Sequence, residues 1–312
     1  MAGDAEAVLL LAFGGPTRPE EIRPFLANVT RGRSIPADRL EAVVHHYQLI
    51  GGRSPLNELT FRQAEKLTAA LAASGTPLPV HVGMRNWEPY LEDAVARLAE
   101  AGVRTVVGII LSPHATEASR ERYTERVAAA QATLGARAPA VRYVESWHLH
   151  PLFVTAVADA VVAELVTLPA GRREDAVLLF TAHSVPVASA ARSPYVAEIT
   201  ASARAVAAHL GRPRSQIAYQ SRSGDPRDPW LEPDVNDALR ALAAAGARDV
   251  VAIPIGFVCD HVEVLYDLDV EARATARAAG LGFRRASTVN DHPLFIRMLV
   301  DVVRQAHAPR PA

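Results

Sequence analysis

The chain has 312 residues, beyond the size at which one hydrophobic core keeps growing, so two domains are expected. Hydrophobic residues make up 49% and charged residues 21%, and the net charge of -1, from 33 basic and 34 acidic side chains, gives no electrostatic reason to expect a nucleic-acid partner. The single cysteine, Cys259, excludes an internal disulfide and the usual four-thiolate iron–sulfur cluster.

The chain opens with MAGDAEAVLLLAFGG, which lacks the basic start of a signal peptide. Its apolar run from Ala5 to Phe13, broken by Glu6, is far short of the roughly 20 residues that span a bilayer, so a cytoplasmic enzyme is expected. Within it, VLLLAFGG (8–15) reads as the first buried strand. Gly14 and Gly15 after that strand are compatible with a phosphate cradle, although two glycines are weak ground for one. The amphipathic stretch FRQAEKLTAALAAS (61–74) follows, then strand candidates VHVGM (80–84) and TVVGIIL (105–111). AVLLF (176–180), a second Ala-rich helix DALRALAAAGARD (237–249) and the strand DVVAIPIGF (249–257) continue the pattern. These strands are rich in Val, Ile and Leu without alternation, as strands covered on both faces are. Their alternation with helices predicts an α/β fold of parallel sheets.

The chain also repeats itself. AVARLAEAGVRTVVGIILSPH (94–114) resembles ALRALAAAGARDVVAIPIGFVCDH (238–261), and VLLLAFGG (8–15) resembles VLLFTAHS (177–184). In the first pair a helix runs into Ala-Gly, then an Arg, a buried strand and a loop carrying a histidine, with Gly102 and Gly246 placed as helix C′ residues. Two related halves are predicted, 1–150 and 151–312, with the C-terminal helix packing back on the first. Ligands of open α/β sheets sit beyond the carboxyl ends of the strands, so the cleft between the halves is the expected site.

Most of the eleven histidines lie in polar or helical surroundings that suit surface or capping roles. His114, His183 and His261 differ because each follows a buried strand. In VLLFTAHSVP (177–186) four apolar residues lead directly to His183, with Ser184 beside it. In GFVCDHVEVLYDLDVEA (256–272) a strand ends and Asp260, His261 and Glu263 arrive together. Glu263, Asp267 and Glu271 are spaced by four, and a helix would place them on one face. A solvated acidic face is the commoner meaning of that spacing, and a route for cations, which would relieve the repulsion, is the alternative. A histidine and a glutamate also suffice for acid–base chemistry, but are too few for a closed structural zinc site. No GxSxG, Walker, HExxH or GxGxxG motif is present.

Together these stretches resemble the ferrochelatase family. The matching pieces are LLLAFGGP (9–16), IGGRSPLNELT (50–60), WEPYLEDAV (87–95), SPHATEAS (112–119), FTAHSVP (180–186), YQSRSGDPRDPWLEPDV (219–235) and IGFVCDHVEVLYDLD (255–269). RGR (31–33) is most similar to the branch that uses coproporphyrin III. The resemblance implies two similar Rossmann-like domains of chelatase type around a porphyrin cleft, with no organic cofactor. It implies insertion of Fe²⁺, a substrate, into a free-base porphyrin with release of two protons, here coproporphyrin III to coproheme.

The resemblance also assigns residues. Catalysis falls to His183 as a neutral imidazole that accepts a proton or ligates iron, and to Glu263 facing it. Asp267 and Glu271 continue the metal path from that pair. Tyr47, Ser54 and Tyr123 fall where the coproporphyrin branch contacts its substrate. Phe13 stands where many relatives place a tyrosine that ligates the product iron, which phenylalanine cannot do. Thr30 and His46 replace arginines that meet propionates, leaving Arg31 and Arg33 to take that part. The iron–sulfur cluster of some relatives is not expected. A cytoplasmic monomer is implied, in transient contact with other enzymes of heme synthesis. The alternatives are a protoporphyrin IX ferrochelatase, a cobalt or nickel chelatase acting on another tetrapyrrole, a tetrapyrrole carrier without chemistry, and a nucleotide-binding protein.

Overall fold

A computed structural model describes residues 5–32, 35–212, 214–223 and 227–307. Arg33 lies outside the described residues, as do 224–226 of the stretch 219–235. The chain divides into two compact units: one contains the described residues of Met1–Ser112, Glu117–Trp147 and Asn290–Ala312, the other Pro113–Thr116 and His148–Val289.

The first unit is built from β1 (Ala7–Ala12), α1 (Ile22–Val29), α2 (Ala37–Leu49), α3 (Leu56–Ala73), β2 (Val80–Met84), α4 (Leu91–Glu100), β3 (Thr105–Ile110), α5 (Arg122–Leu134) and β4 (Ala140–Tyr143). Its sheet is wholly parallel, in the order β2-β1-β3-β4. All six residues of the central β1 are buried, which explains its unbroken apolar run. Leu9, Leu11 and Val106 pack on Leu91, Val95 and Leu98 of α4 and Val127 of α5. Burial of each such leucine contributes about 1.5–3 kcal/mol.

The second unit contains α6 (Pro151–Leu165), β5 (Val177–His183), α7 (Val187–Ala190), α8 (Tyr195–His209), β6 (Ser215–Gln220), α9 (Val235–Ala244), β7 (Asp249–Ile253), α10 (Val262–Leu265), α11 (Arg273–Ala278) and β8 (Gly282–Arg285). Its parallel order, β6-β5-β7-β8, has the same topology as that of the first unit. The repeated sequences therefore occupy equivalent places: β1 matches β5, and α4–β3 matches α9–β7. Even the helix ends agree. Gly102 and Gly246 both have left-handed backbones, and the residue after each donates to a carbonyl five residues back, Val103 to Leu98 and Ala247 to Leu242, both at 3.0 Å. The last helix, α12 (Pro293–His307), belongs to the first unit, where α3 reaches the turn before it through Gln63 to the Asn290 carbonyl at 2.6 Å and Lys66 to Asp291 at 2.7 Å.

β4, β6 and β8 were not among the predicted strands. All are edge strands, and β4 and β8 are four residues long. β6 begins with exposed Ser215 and Gln216 and is buried only over its last three residues. These three are too short or too polar to print a continuous apolar run, whereas the edge strand β2 carries a single polar side chain, His81. β7 in turn stops at Ile253, short of the predicted 257, because Pro254 has no N–H to give the ladder.

Beyond Pro254 the chain stays beside β5. The Gly256 N–H donates to the Thr181 carbonyl at 3.1 Å. A Cβ on Gly256 would lie 2.9 Å from the Ala182 Cα, a backbone atom that no rotamer change can move aside. Only glycine lets this loop run against the last turn of β5 before His183. Gly256→Ala is expected to destabilise by about 1–3 kcal/mol as an overpacking change, read as a lowered Tm, whereas Val166→Ala at an exposed position should leave Tm nearly unchanged.

Candidate active site

β5 is buried from Val177 to Ala182, and only its last residue, His183, reaches partial exposure. Hydrogen bonds on three sides hold that strand end. Tyr195 Oη donates to the His183 carbonyl at 2.9 Å, the His183 Nδ1–H donates to the Ser184 carbonyl, and the Ser184 N–H donates to the Gln220 carbonyl at 2.7 Å. With Nδ1 engaged in this way, Nε2 is the nitrogen left to face outward.

Glu263 comes from α10, one residue after the loop that Gly256 allows against β5. Its Oε1 lies 3.6 Å from His183 Nε2, and its Oε2 lies 3.7 Å from His261 Nε2. Gln220, buried at the end of β6, donates from Nε2 to the Glu263 carbonyl at 2.5 Å. Gln220 thus fixes both partners, His183 through Ser184 and Glu263 directly. The side chains of His183 and Glu263 retain 29% and 37% exposure, so the pair is open to a ligand rather than sealed.

The acidic segment after Glu263 is not a plain α-helix. Over Asp267–Ala272 the turns widen, and the Glu271 N–H donates five residues back, to the Tyr266 carbonyl, at 3.0 Å. Val264, Leu268, Ala272 and Ala276 are all fully buried against β7 and α9. Such a four-residue repeat drifts about 40° per step around a 3.6-residue helix. The wider turns absorb the drift and keep this apolar stripe on the sheet. Glu263, Asp267 and Glu271 each precede a stripe residue by one, so they share one flank, and Ser221 Oγ donates to the Asp267 carboxylate. Among the described residues no three or more His, Cys, Asp or Glu side chains stand ready to hold one ion.

Electrostatics couple these groups. Burial works against charge on His183, but the charge and proximity of Glu263, the Ser184 carbonyl and Asp267 prevail and raise the imidazole to about 9. Burial likewise opposes ionisation of Glu263, and His183 and His261 overcome it, holding the carboxyl down at about 2. Asp267 is raised to about 7 by burial and by its neighbours Glu263 and Glu271, against the Ser221 hydrogen bond. In the ligand-free protein the Glu263 carboxylate thus favours the imidazolium form of His183, whereas the role expected of it calls for the neutral form. His261 is lowered, chiefly by burial.

The remaining expected site residues belong to the first unit. Phe13 and Tyr123 flank the Arg85 guanidinium, which lies 4.8 and 4.9 Å from their ring centres. Phe25 meets Phe13, Tyr47 and Trp87 edge-on at about 6 Å. Phe13, Tyr47 and Tyr123 thus share one aromatic cluster, with Tyr47 and Tyr123 buried. Ser54 is buried as well, its Oγ accepting from the Leu56 N–H at 3.3 Å at the start of α3. Arg31 is exposed and bonds Asn28 at 2.7 Å. The Gly15 N–H is taken by Asn57 Oδ1 at 2.8 Å, which removes a donor from the phosphate cradle considered above. His114 is buried beside Ser202 and Tyr195, and His150 and His292 cap α6 and α12.

Gln220, Ser221, Tyr195 and Arg85 were not singled out from the sequence as site residues. The first two lie in the quoted stretch 219–235, but nothing in their spacing marked them.

Residues 5–307 match the family model described as ferrochelatase. A coproporphyrin III ferrochelatase of Mycolicibacterium smegmatis is 44% identical over 301 residues, 96% of this chain and 88% of that protein. One from Mycobacterium tuberculosis H37Rv is 46% identical over 310 residues, 97% of this chain and 88% of that protein. Among solved structures, the sirohydrochlorin chelatase SirB from Bacillus subtilis subspecies spizizenii in complex with cobalt matches with a TM-score of 0.57 at 12% identity, covering 96% of this chain and 94% of that one. That last likeness is one of fold.

The charge coupling at the site gives a direct expectation. His183 and Asp267 bind protons more tightly in the folded state than in the unfolded one. Their contribution to stability therefore falls as pH rises, for Asp267 from about 3.9 to 7 and for His183 from about 6.5 to 9. In an NMR titration of the ligand-free protein the His183 ring is expected to lose its proton well above the ordinary value, near 9. Glu263→Gln should bring the midpoint back towards that of an ordinary histidine. An unmoved midpoint would mean that the carboxylate is not what holds the proton.

Proposed function

The chain belongs to the ferrochelatase family, and from that premise we propose that it inserts ferrous iron into coproporphyrin III and yields coproheme. The observation that carries this reading is the His183–Glu263 pair, 3.6 Å apart and partly exposed at the end of a rigid strand. The substrate assignment rests on relatives that are 44–46% identical over nearly the whole chain and bear that name.

The reaction exchanges two pyrrole N–H protons for one dication. A base must take a proton from the ring, and the metal must arrive with part of its water removed. In the ligand-free protein Glu263 favours the imidazolium form of His183, which has no vacancy for a proton from the ring. A dication that approaches Glu263 cancels the charge that holds the imidazolium. The ring of His183 then releases its proton to solvent and becomes the neutral base for one pyrrole proton, the other passing to water. Asp267, raised to about 7, undergoes the same exchange of proton for metal along the approach from Glu271. A chelating enzyme must also surrender its metal, and a small ligand set holds an ion less tightly than a closed four-ligand site. Binding a bent macrocycle better than a planar one would direct the remaining binding energy to the transition state.

Phe13, Tyr47, Ser54, Tyr123 and Arg31 are proposed as substrate contacts on the strength of the family resemblance, with Phe13 leaving the product iron without a phenolate ligand. Ferrous iron enters as substrate, with no organic cofactor. We place the enzyme in the cytoplasm as a monomer, in passing contact with other enzymes of heme synthesis. Among the described residues no helix is long and apolar enough to cross a membrane.

Purified protein given coproporphyrin III and Fe²⁺ is expected to consume porphyrin fluorescence, and faster than with protoporphyrin IX measured side by side. His183→Ala should lose nearly all turnover, and near-normal turnover would remove it from the mechanism. Glu263→Gln is expected to insert iron slowly while binding porphyrin as before. Loss of porphyrin binding instead would give Glu263 a different task.

A further inference from the structure

The segment that carries Glu263 holds more carboxylates than a metal path needs. Asp260, Glu263, Asp267, Asp269 and Glu271 fall within twelve residues. A dication drawn to this segment would meet them all unless some were occupied. The structure occupies two of them with one side chain. Arg285, the last residue of β8, is largely buried at 12% exposure, against 18% for Asp260 and 25% for Asp269. Its Nη1 donates to Asp260 at 3.1 Å, and its Nη2 donates to Asp269 at 2.7 Å. Its Nε also reaches Asp269 at 3.1 Å, and Thr288 Oγ1 donates to Asp260 at 3.0 Å. Arg273 adds a second cation to Asp269 at 3.1 Å.

This is a fork geometry that only arginine supplies: two carboxylates nine residues apart in sequence are held by one planar cation. The guanidinium stands on a sheet strand, and the next residue, Ala286, donates its N–H to the Ala252 carbonyl of β7 at 2.9 Å, so the clamp is rigid. Asp260 directly precedes His261, and Asp269 lies inside the widened turns. Among the described residues neither Glu263 nor Asp267 pairs with Arg285.

We propose that Arg285 is a positioning residue that sorts the carboxylates of this segment, withholding Asp260 and Asp269 from incoming iron so that the ion is offered Glu263 and Asp267. This deepens the ferrochelatase reading and rests on it. Arg285 acts through the acids it occupies and touches neither metal nor ring. Without it, Asp260 would lose the guanidinium that neutralises it and Asp269 would keep only the more exposed Arg273, so the two carboxylates would carry net negative charge that attracts a dication off the path.

The test compares Arg285→Met, Arg285→Lys and the triple variant Arg285→Met/Asp260→Asn/Asp269→Asn, each checked by Tm. In the porphyrin-free protein, Mn²⁺ binding followed by EPR should show an added divalent site in Arg285→Met that neither the unmodified protein nor the triple variant has. In turnover, Arg285→Met should raise the KM for Fe²⁺, because an ion held at Asp260 and Asp269 repels one arriving at Glu263, with the KM for coproporphyrin III unchanged. The triple variant should restore it. Lysine, a point charge, covers one carboxylate at a time, so Arg285→Lys should still raise the iron KM, and it decides the matter if the methionine variant does not fold. No added Mn²⁺ site with an unchanged iron KM in a folded variant, or a triple variant as impaired as the single, would overturn the proposal. Should the unmodified protein insert no iron at all, the functional reading fails, while the Mn²⁺ experiment still judges Arg285.

Discussion

The chemistry of this protein depends on one short-range constraint: two chain segments from different strands must run side by side at the end of β5. His183 reaches that end on a fully buried strand, and Glu263 reaches it on a loop that a glycine allows against the Ala182 backbone. Gln220 then joins the two from the neighbouring strand. Each of these devices belongs to the backbone or to a buried amide, so the ion pair is set by the sheet rather than by the pair's own attraction. A partly exposed ion pair is worth little by itself. Its value is that it is already in place when a ligand arrives.

The charge state follows from that placement. Glu263 favours the protonated forms of both His183 and Asp267 in the ligand-free site. A dication can take over the role of those protons without leaving the site with an uncompensated charge. The reaction needs the same exchange at the ring, where protons leave and a metal enters. The widened turns at Asp267–Ala272 serve this order as well. They keep a four-residue apolar repeat against the core and so align the acidic flank beside it, which an ordinary helix would let wander.

Much of the architecture was legible in the sequence because buried parallel strands print continuous apolar runs. β1, β3, β5 and β7 were found that way, the edge strand β2 was found despite His81, and the internal repeat pointed to the common topology of the two sheets. The edge strands β4, β6 and β8 were not legible, being short or polar over much of their length. At the site, His183 and Glu263 stood out as polar groups at the ends of apolar runs. Gln220 and Arg285 did not, because a polar residue at an edge strand reads as solvated until the fold shows what it touches. The electrostatic coupling of His183 was not legible for a related reason: it depends on distances to Glu263 and Asp267, and spacing in sequence does not give those. The strict repeat of Val264, Leu268, Ala272 and Ala276 is the one signal that would have revealed the widened turns in advance.

The central claim is that His183 and Glu263 address the nitrogens at the middle of a macrocycle. A crystal structure of the protein with metal-free coproporphyrin III bound would examine this directly. The account predicts His183 Nε2 and a Glu263 carboxylate oxygen within hydrogen-bond reach of the ring nitrogens, directly or through one water. A ring seated with its centre away from both side chains, in a complex that still turns over when iron is supplied, would contradict it.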